Sequence, residues 1–259
     1  MGFDIGELVT RKSHNNDTVF IITDIIDNIY YLKGINVRLI ADATLEDLNK
    51  YNDKDIENEK PFLERIKPKD TLDRTDYFYL PGKILHIDGD NEYLERCLKY
   101  YEEANIWAMG INEIEENIPT KIKIWLEEYK PNIVIITGHD AYYKRKENNQ
   151  KSLYKNSQNF INAVKEARLY ERDHDKLIII AGACQSNYEE LIKAGANFAS
   201  SPKRINIHAL DPAIIATKIS LSPSNKEIDL KAILDETKYG AAGMGGIITK
   251  GTMYIGYPR

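Results

Sequence analysis

Two runs of β-branched residues constrain the fold of this chain more than any other feature. Ile133-Val134-Ile135-Ile136-Thr137 leads into Gly138-His139-Asp140, and Leu177-Ile178-Ile179-Ile180-Ala181 leads into Gly182-Ala183-Cys184-Gln185-Ser186. A strand with one wet face alternates apolar and polar residues. Continuous apolar runs bounded by turn residues fit strands buried on both faces of a parallel sheet. In such a sheet the groups just past the carboxyl ends of neighbouring strands converge on one crevice, where ligands bind. A histidine at one strand end and a cysteine at the next supply a base and a nucleophile. The pattern points to a cysteine hydrolase.

The surrounding sequence fits that sheet. From Gly82 onward strand-like and helix-like segments alternate, as α/β proteins require. The expected strands are 83–88, 106–111, 133–137, 177–181 and 196–200. The helices are expected over 90–104, 119–129, 156–170, 188–193 and 212–219, and the tail 246–256 alternates like an edge hairpin. Ahead of this region, residues 7–11, 19–24, 29–33 and 37–40 read as short strands separated by Asn, Asp and Gly, the signature of a small SH3-like or KOW-like barrel. Between the two lies a stretch in which fifteen of the twenty-eight residues 49–76 are charged, with Pro61 and Pro68 breaking any long helix. The expected organisation is a small β-barrel over 1–48, a charged linker over 49–78, and an α/β domain over 79–259 with a mostly parallel sheet and helices on both faces.

Composition removes several classes of function. The chain carries 35 Lys and Arg against 40 Asp and Glu, a net charge of −5, and nucleic-acid affinity rests on neutralising phosphates. The barrel region has the same balance, with five basic and eight acidic residues in 1–50. No nucleic-acid partner is expected. No apolar run approaches the ~20 residues that span a bilayer, and the acidic start lacks the apolar core of a signal peptide. The expected location is the cytoplasm, without membrane attachment. With only two cysteines, Cys97 and Cys184, neither a disulfide framework nor a cysteine zinc site can be built. Cys97 falls at i+3 from Leu94 in a helix-like stretch and reads as a small buried residue.

Each reactive residue has a bland alternative. A lone histidine is more often structural than catalytic, and a lone cysteine more often a small core residue. His139 and Cys184 gain weight together, because each sits beside glycine at the end of a buried strand and the strands are consecutive. Cys184 lies at a strand-to-helix turn, where a helix N-terminus and a histidine cation would stabilise its thiolate. Asp140 could orient His139, bind a basic substrate side chain or cap a turn. Gly138, Gln185 and Asp211 are candidates for the oxyanion and substrate positions, although Asp211 before Pro212 also reads as a helix N-cap. His86 reads as a core residue, His174-Asp175 as part of a charged loop, and 240–246 as a glycine-rich turn.

The order of these residues carries a resemblance. Class I glutamine amidotransferases place the cysteine before the histidine, in a Gly-x-Cys-x-Gly elbow that is absent here. The caspase-like superfamily places histidine after the third strand and cysteine after the fourth, often as Ala-Cys, which matches Thr137-Gly138-His139-Asp140 and Ala181-Gly182-Ala183-Cys184. One departure is that the glycine which usually follows the histidine there precedes it here. Backbone amides at Asp140 and Cys184 could still form the oxyanion hole.

Further segments narrow the match. Residues 38–43 (Arg-Leu-Ile-Ala-Asp-Ala), 82–90 (Gly-Lys-Ile-Leu-His-Ile-Asp-Gly-Asp), 194–202 (Ala-Gly-Ala-Asn-Phe-Ala-Ser-Ser-Pro) and 205–212 (Ile-Asn-Ile-His-Ala-Leu-Asp-Pro) join the two site motifs in order. Together they resemble the YabG family of sporulation-specific proteases. That resemblance implies a cysteine endopeptidase of the mother cell, associated with the forming spore coat, that trims spore coat and cortex-processing proteins and prefers to cut after arginine. Cys184 would be the nucleophile and His139 the general acid and base, with no metal or organic cofactor required and calcium dependence left open. Asp140 and Asp211 are the carboxylates to test as readers of arginine. Such an enzyme could cut its own charged segment after Arg65 or Arg74. The alternatives are a non-enzymatic coat or scaffold protein using the barrel as a binding module, and a Cys-His amidase or acyltransferase of another kind.

Overall fold

The computed structural model describes residues 2–51, 59–68, 72, 74–142 and 154–259. The chain divides into two compact units, Met1–Lys67 and Pro68–Arg259.

The first unit is built on an antiparallel five-stranded sheet. Its strands are β1 (Leu8–Arg11), β2 (Phe20–Ile26), β3 (Ile29–Gly34), β4 (Ile40–Thr44) and β5 (Leu48–Lys50), in the order β4-β3-β2-β1-β5. Asp27 and Asn28 both take positive φ, 51° and 62°, as the tight hairpin between β2 and β3 demands. Val9, Phe20, Ile22 and Leu32 are fully buried and form its core. Two expectations are corrected. The fourth strand begins at Ile40 rather than Val37, because the chain folds back on itself before it: Gly34 N–H donates to Leu39 O, and Leu39 N–H to Val37 O. A fifth strand, too short and polar to show a period, pairs with β1. The region read as an exposed linker holds β5 and a helix, α1 (Lys60–Ile66), with Pro61 in its first turn and with Phe62 and Ile66, four apart, buried. Residues 52–58, 69–71 and 73 of that region lie outside the described part.

The second unit is α/β. After β6 (Phe78–Leu80) come β7 (Ile84–Asp88), α2 (Asn91–Glu103), β8 (Ala108–Asn112), α3 (Ile118–Tyr129), β9 (Ile133–Thr137), α4 (Ser157–Tyr170), β10 (Ile178–Ala181), α5 (Tyr188–Ala194), β11 (Phe198–Ser200), α6 (Asp211–Ser220), α7 (Leu230–Asp235), β12 (Met244–Gly246) and β13 (Tyr254–Gly256). Six strands form one sheet in the order β12-β11-β10-β9-β7-β8, with all pairings parallel except that of β12 with β11. Every residue of β7, β9 and β10 is buried, which explains the apolar runs 133–136 and 178–181; the polar His86 and Asp88 of β7 are buried as well. Leu85, Ile87, Val134, Ile136 and Ile179 pack with Ile118, Ile122 and Leu126 of α3, Phe160 and Val164 of α4 and Leu191 of α5. The alternate strand residues turn to the opposite face, where α2 and α6 pack. Cys97 is buried there, as its spacing predicts.

Strand order reverses between β7 and β9, since β8 lies to one side of β7 and β9, β10 and β11 to the other. A crevice opens at such a switch point, at the carboxyl ends of the strands. The tail is not a hairpin. Only the last residue of β12, which extends the main sheet, falls in it, and β13 pairs with β6 in a separate two-stranded ribbon. The glycine-rich 240–246 stretch holds a single 3-10 turn, Gly240–Ala242, and then β12. Among the described residues no helix is long and apolar enough to cross a membrane.

Candidate active site

Three strand ends build the site. At the end of β9, Thr137 Oγ1 donates to Gly182 O across 3.0 Å, holding the exits of β9 and β10 together. His139 follows, and its ring Nε2 lies 2.9 Å from Oδ2 of Asp90 at the exit of β7. The other oxygen of Asp90 accepts the N–H groups of Glu92 and Tyr93 and so caps α2. One carboxylate thus starts a helix and orients an imidazole. A carboxylate beside Nε2 keeps the proton on that nitrogen, leaving Nδ1 as the basic one. Nδ1 is buried and has no hydrogen-bond partner among the described residues. Tyr93 packs against the ring at 5.6 Å between centroids. The backbone of His139 is held as well, its N–H donating to Glu115 Oε1 (2.7 Å) and its C=O accepting from Asn156 Nδ2 (2.9 Å).

Cys184 sits in the turn after β10. Gly182 adopts φ +100°, and a Cβ there would lie 2.4 Å from Ser200 Oγ, so both conformation and space call for glycine. Gln185 takes φ +59°, unusual for a residue with a side chain. Its amide bridges two loops, accepting from Tyr142 N–H and donating to Asn206 Oδ1, while its own N–H donates to Ser201 Oγ. The thiol is fully buried. The expected stabilisation by a helix N-terminus is corrected, because α5 starts only at Tyr188 and Asn187 caps it. At the sulfur, the N–H of Ile207 lies 3.2 Å from Sγ, and the thiol donates to the C=O of the same residue across 3.7 Å.

Asp140 makes no hydrogen bond to the His139 ring; its oxygens accept from Ala141 N–H, Asn156 N–H, Ser157 Oγ and Ser186 Oγ. Burial pushes its carboxyl above the ordinary carboxylate value, and these four donors partly offset the rise. Gly138 lies against the Glu115 carboxylate, which a Cβ would meet at 2.4 Å. Asp211 is not the N-cap of α6, which is Leu210, but the first residue of the helix; its Oδ2 accepts His208 N–H and its Oδ1 accepts Lys238 N–H, both at 2.8 Å. His208 Nδ1 accepts from Leu210 N–H within the same turn. His86 is in the core, its Nδ1 2.9 Å from Tyr101 Oη.

Asp90, Glu115, Ser186 and Ile207 were not singled out from the sequence as site residues. Asp90 did carry a signal, a carboxylate directly after a buried strand, but it is equally the first residue of a helix. Nothing local marks Glu115, which stands in the charged Glu113-Ile114-Glu115-Glu116 turn.

Fold and site define an α/β protein with a carboxylate-bound histidine and a buried thiol at adjoining strand ends. The profile of the family described as YabG peptidase U57 matches residues 4–258, and the chain belongs to that family. It is therefore a peptidase, which removes the non-enzymatic scaffold alternative. The chain is similar to the sporulation-specific protease YabG of Bacillus subtilis (strain 168), at 40% identity over 286 aligned residues covering 100% of this chain and 99% of the relative. No solved structure matches.

Proposed function

We propose that the chain is a cysteine endopeptidase of sporulation with a caspase-like catalytic domain. The observation that carries the reading is the Asp90–His139 pair at 2.9 Å, one strand away from the turn of Cys184. A base oriented by a third group beside a nucleophile is the general arrangement of covalent catalysis. Nδ1 of His139 takes the thiol proton as Sγ attacks the scissile carbonyl. It returns that proton to the leaving amine as the C–N bond breaks. It then activates a water that releases the acyl-enzyme. The amides of Asp140 and Cys184 are assigned to the oxyanion, and the Ile207 N–H to the thiolate before attack. The histidine after the third parallel strand and cysteine after the fourth support the superfamily assignment, and the five-stranded antiparallel sheet supports an SH3-like first unit.

The proposed substrates are those that the family resemblance implies: spore coat and cortex-processing proteins, cut in the mother-cell cytoplasm or at the forming coat. Arginine preference is assigned to Asp211. Two backbone N–H groups, of His208 and Lys238, orient the buried Asp211 carboxylate four residues from Ile207. A planar carboxylate pairs bidentately with guanidinium in a way that lysine does not reproduce.

The test is a digest of denatured protein with mass-spectrometric mapping of the cuts. Wild type should cut mainly after arginine, while Cys184→Ala and His139→Ala should be folded and inactive, with Cys97→Ala and His208→Ala active. Cleavage by Cys184→Ala, or an inactive His208→Ala beside an active His139→Ala, reverses the assignment. Hydrolysis of small amides with no protein cut would favour the amidase alternative.

A further inference from the structure

We infer that Glu115 is a positioning residue for catalysis: its carboxylate fixes the opening between β7 and β9, and so sets how Asp90 meets His139. The inference rests on the reading of His139 as general acid and base. Pairing between β7 and β9 runs through Asp88 and Thr137, and one more bond, Gly89 N–H to Thr137 O at 3.1 Å, closes the ladder. Past that point the two chains diverge, each carrying a glycine and then a site residue, Gly89-Asp90 on one side and Gly138-His139 on the other. The Glu115 carboxylate occupies the fork. A Cβ on Gly89 would stand 2.4 Å from its Oε1, and a Cβ on Gly138 would stand at the same distance.

Two glycines on different strands thus make room for one carboxylate oxygen, and that oxygen accepts the N–H of His139 across 2.7 Å. The loop bearing Glu115 is itself tied to the end of β7. Asp88 O accepts both Glu113 N–H (3.1 Å) and Asn112 Nδ2 (2.9 Å). Glu115 is buried, and its role needs an acceptor of the right reach. A displacement of about 1 Å in a catalytic group can lower the rate about 10²-fold.

Glu115→Asp keeps the charge but withdraws the acceptor by one methylene. Glu115→Gln keeps the reach and one acceptor oxygen but removes the charge. With a peptide spanning a cut site mapped for wild type, E115D should lower kcat at least about 30-fold with KM within threefold, while E115Q keeps at least about a third of kcat. Gly138→Ala, whose Cβ pushes the carboxylate off the His139 amide, should reproduce the E115D loss, and it serves as the test if E115D does not fold. Wild-type kcat in either E115D or G138A, a loss residing in KM, or E115Q as damaged as E115D would overturn the inference. An active His139→Ala would instead overturn the reading of the base. An inactive His139→Ala beside an active E115D would reject the positioning role alone.

Discussion

Ser186 Oγ donates to Asp140 Oδ2 across 2.8 Å, and this bond joins the turn that carries the thiol to the loop that carries the histidine. The same hydroxyl accepts Ala183 N–H at 3.0 Å, while Asp140 also receives the first residue of α4 through Ser157. These buried side chains thus form a brace between the two segments. Networks of this kind specify one geometry when every member is satisfied.

Ser186→Ala should destabilise the protein by about 2 kcal/mol, because it leaves the buried Ala183 N–H and one Asp140 acceptor site unmatched. Denaturant unfolding beside wild type measures this; a change within about 0.5 kcal/mol, as for ordinary surface substitutions, would refute the brace.

Asp140 should also leave a pH signature. Burial raises its carboxyl above the ordinary value of 3.8, so the folded protein binds this proton more tightly than the unfolded chain. Its stabilising contribution is complete below the unfolded value and is lost as pH rises through the raised folded value. The stability of wild type relative to Asp140→Asn should therefore be greatest near pH 4 and decline toward pH 7. Unfolding free energies of both proteins across that range check the sign, and a difference that grows with pH contradicts it.

Asp90→Asn separates the two tasks of Asp90. Asparagine caps helices as well as aspartate does, so α2 and the fold should survive. Its amide faces Nε2 with a donor as readily as an acceptor, and the imidazole loses the partner that fixes its tautomer. The expected fall in kcat is on the order of 10²–10⁴, by comparison with serine-protease triads lacking their aspartate. Single-turnover kinetics with circular dichroism measure both, and a folded variant with wild-type kcat would remove Asp90 from the mechanism.

Asp211→Asn should weaken the preference for arginine. Replacing one oxygen by an amide removes the bidentate site, and the ratio of kcat/KM for arginyl over apolar substrates should fall about 10²-fold. Peptide libraries read this directly. An unchanged cleavage profile would move the arginine site elsewhere.

Self-cleavage should occur after Arg74 before Arg65. Arg65 lies in the last turn of α1 with its guanidinium over the Phe62 ring, and a protease needs that turn unwound. Arg74 lies in a turn outside any helix or strand. N-terminal sequencing of aged wild type beside Cys184→Ala decides this: a new terminus at Thr75 in wild type alone is expected, and the same nick in the inactive variant would exclude self-processing.

The strands that carry the site are legible in the sequence because burial on both faces leaves little but Ile, Val and Leu at 133–136 and 177–180. The glycines beside His139 and Cys184 mark turns that open onto the crevice. Legibility fails where tertiary structure supplies the reason. Strands β5, β6, β12 and β13 have three residues each, too few for a period, and pairing with distant segments creates them. Asp90 and Glu115 approach His139 only because β7 and β9 are neighbours, a relation of sheet order rather than of spacing along the chain. Asp211 before Pro212 has the local form of a helix cap, yet its partners are His208 and Lys238.

The ribbon of β6 and β13 has a topological consequence. Arg259 N–H donates to Asp76 O at 3.0 Å, and its guanidinium reaches Arg74 O, so the first and last strands of the second unit meet. A cut after Arg74 would leave both strands of the ribbon on one fragment. That unit is close to a closed ring, and a short linker from residue 259 to residue 76 would turn it into a circularly permuted chain whose new ends could be opened in any exposed loop away from the strand exits.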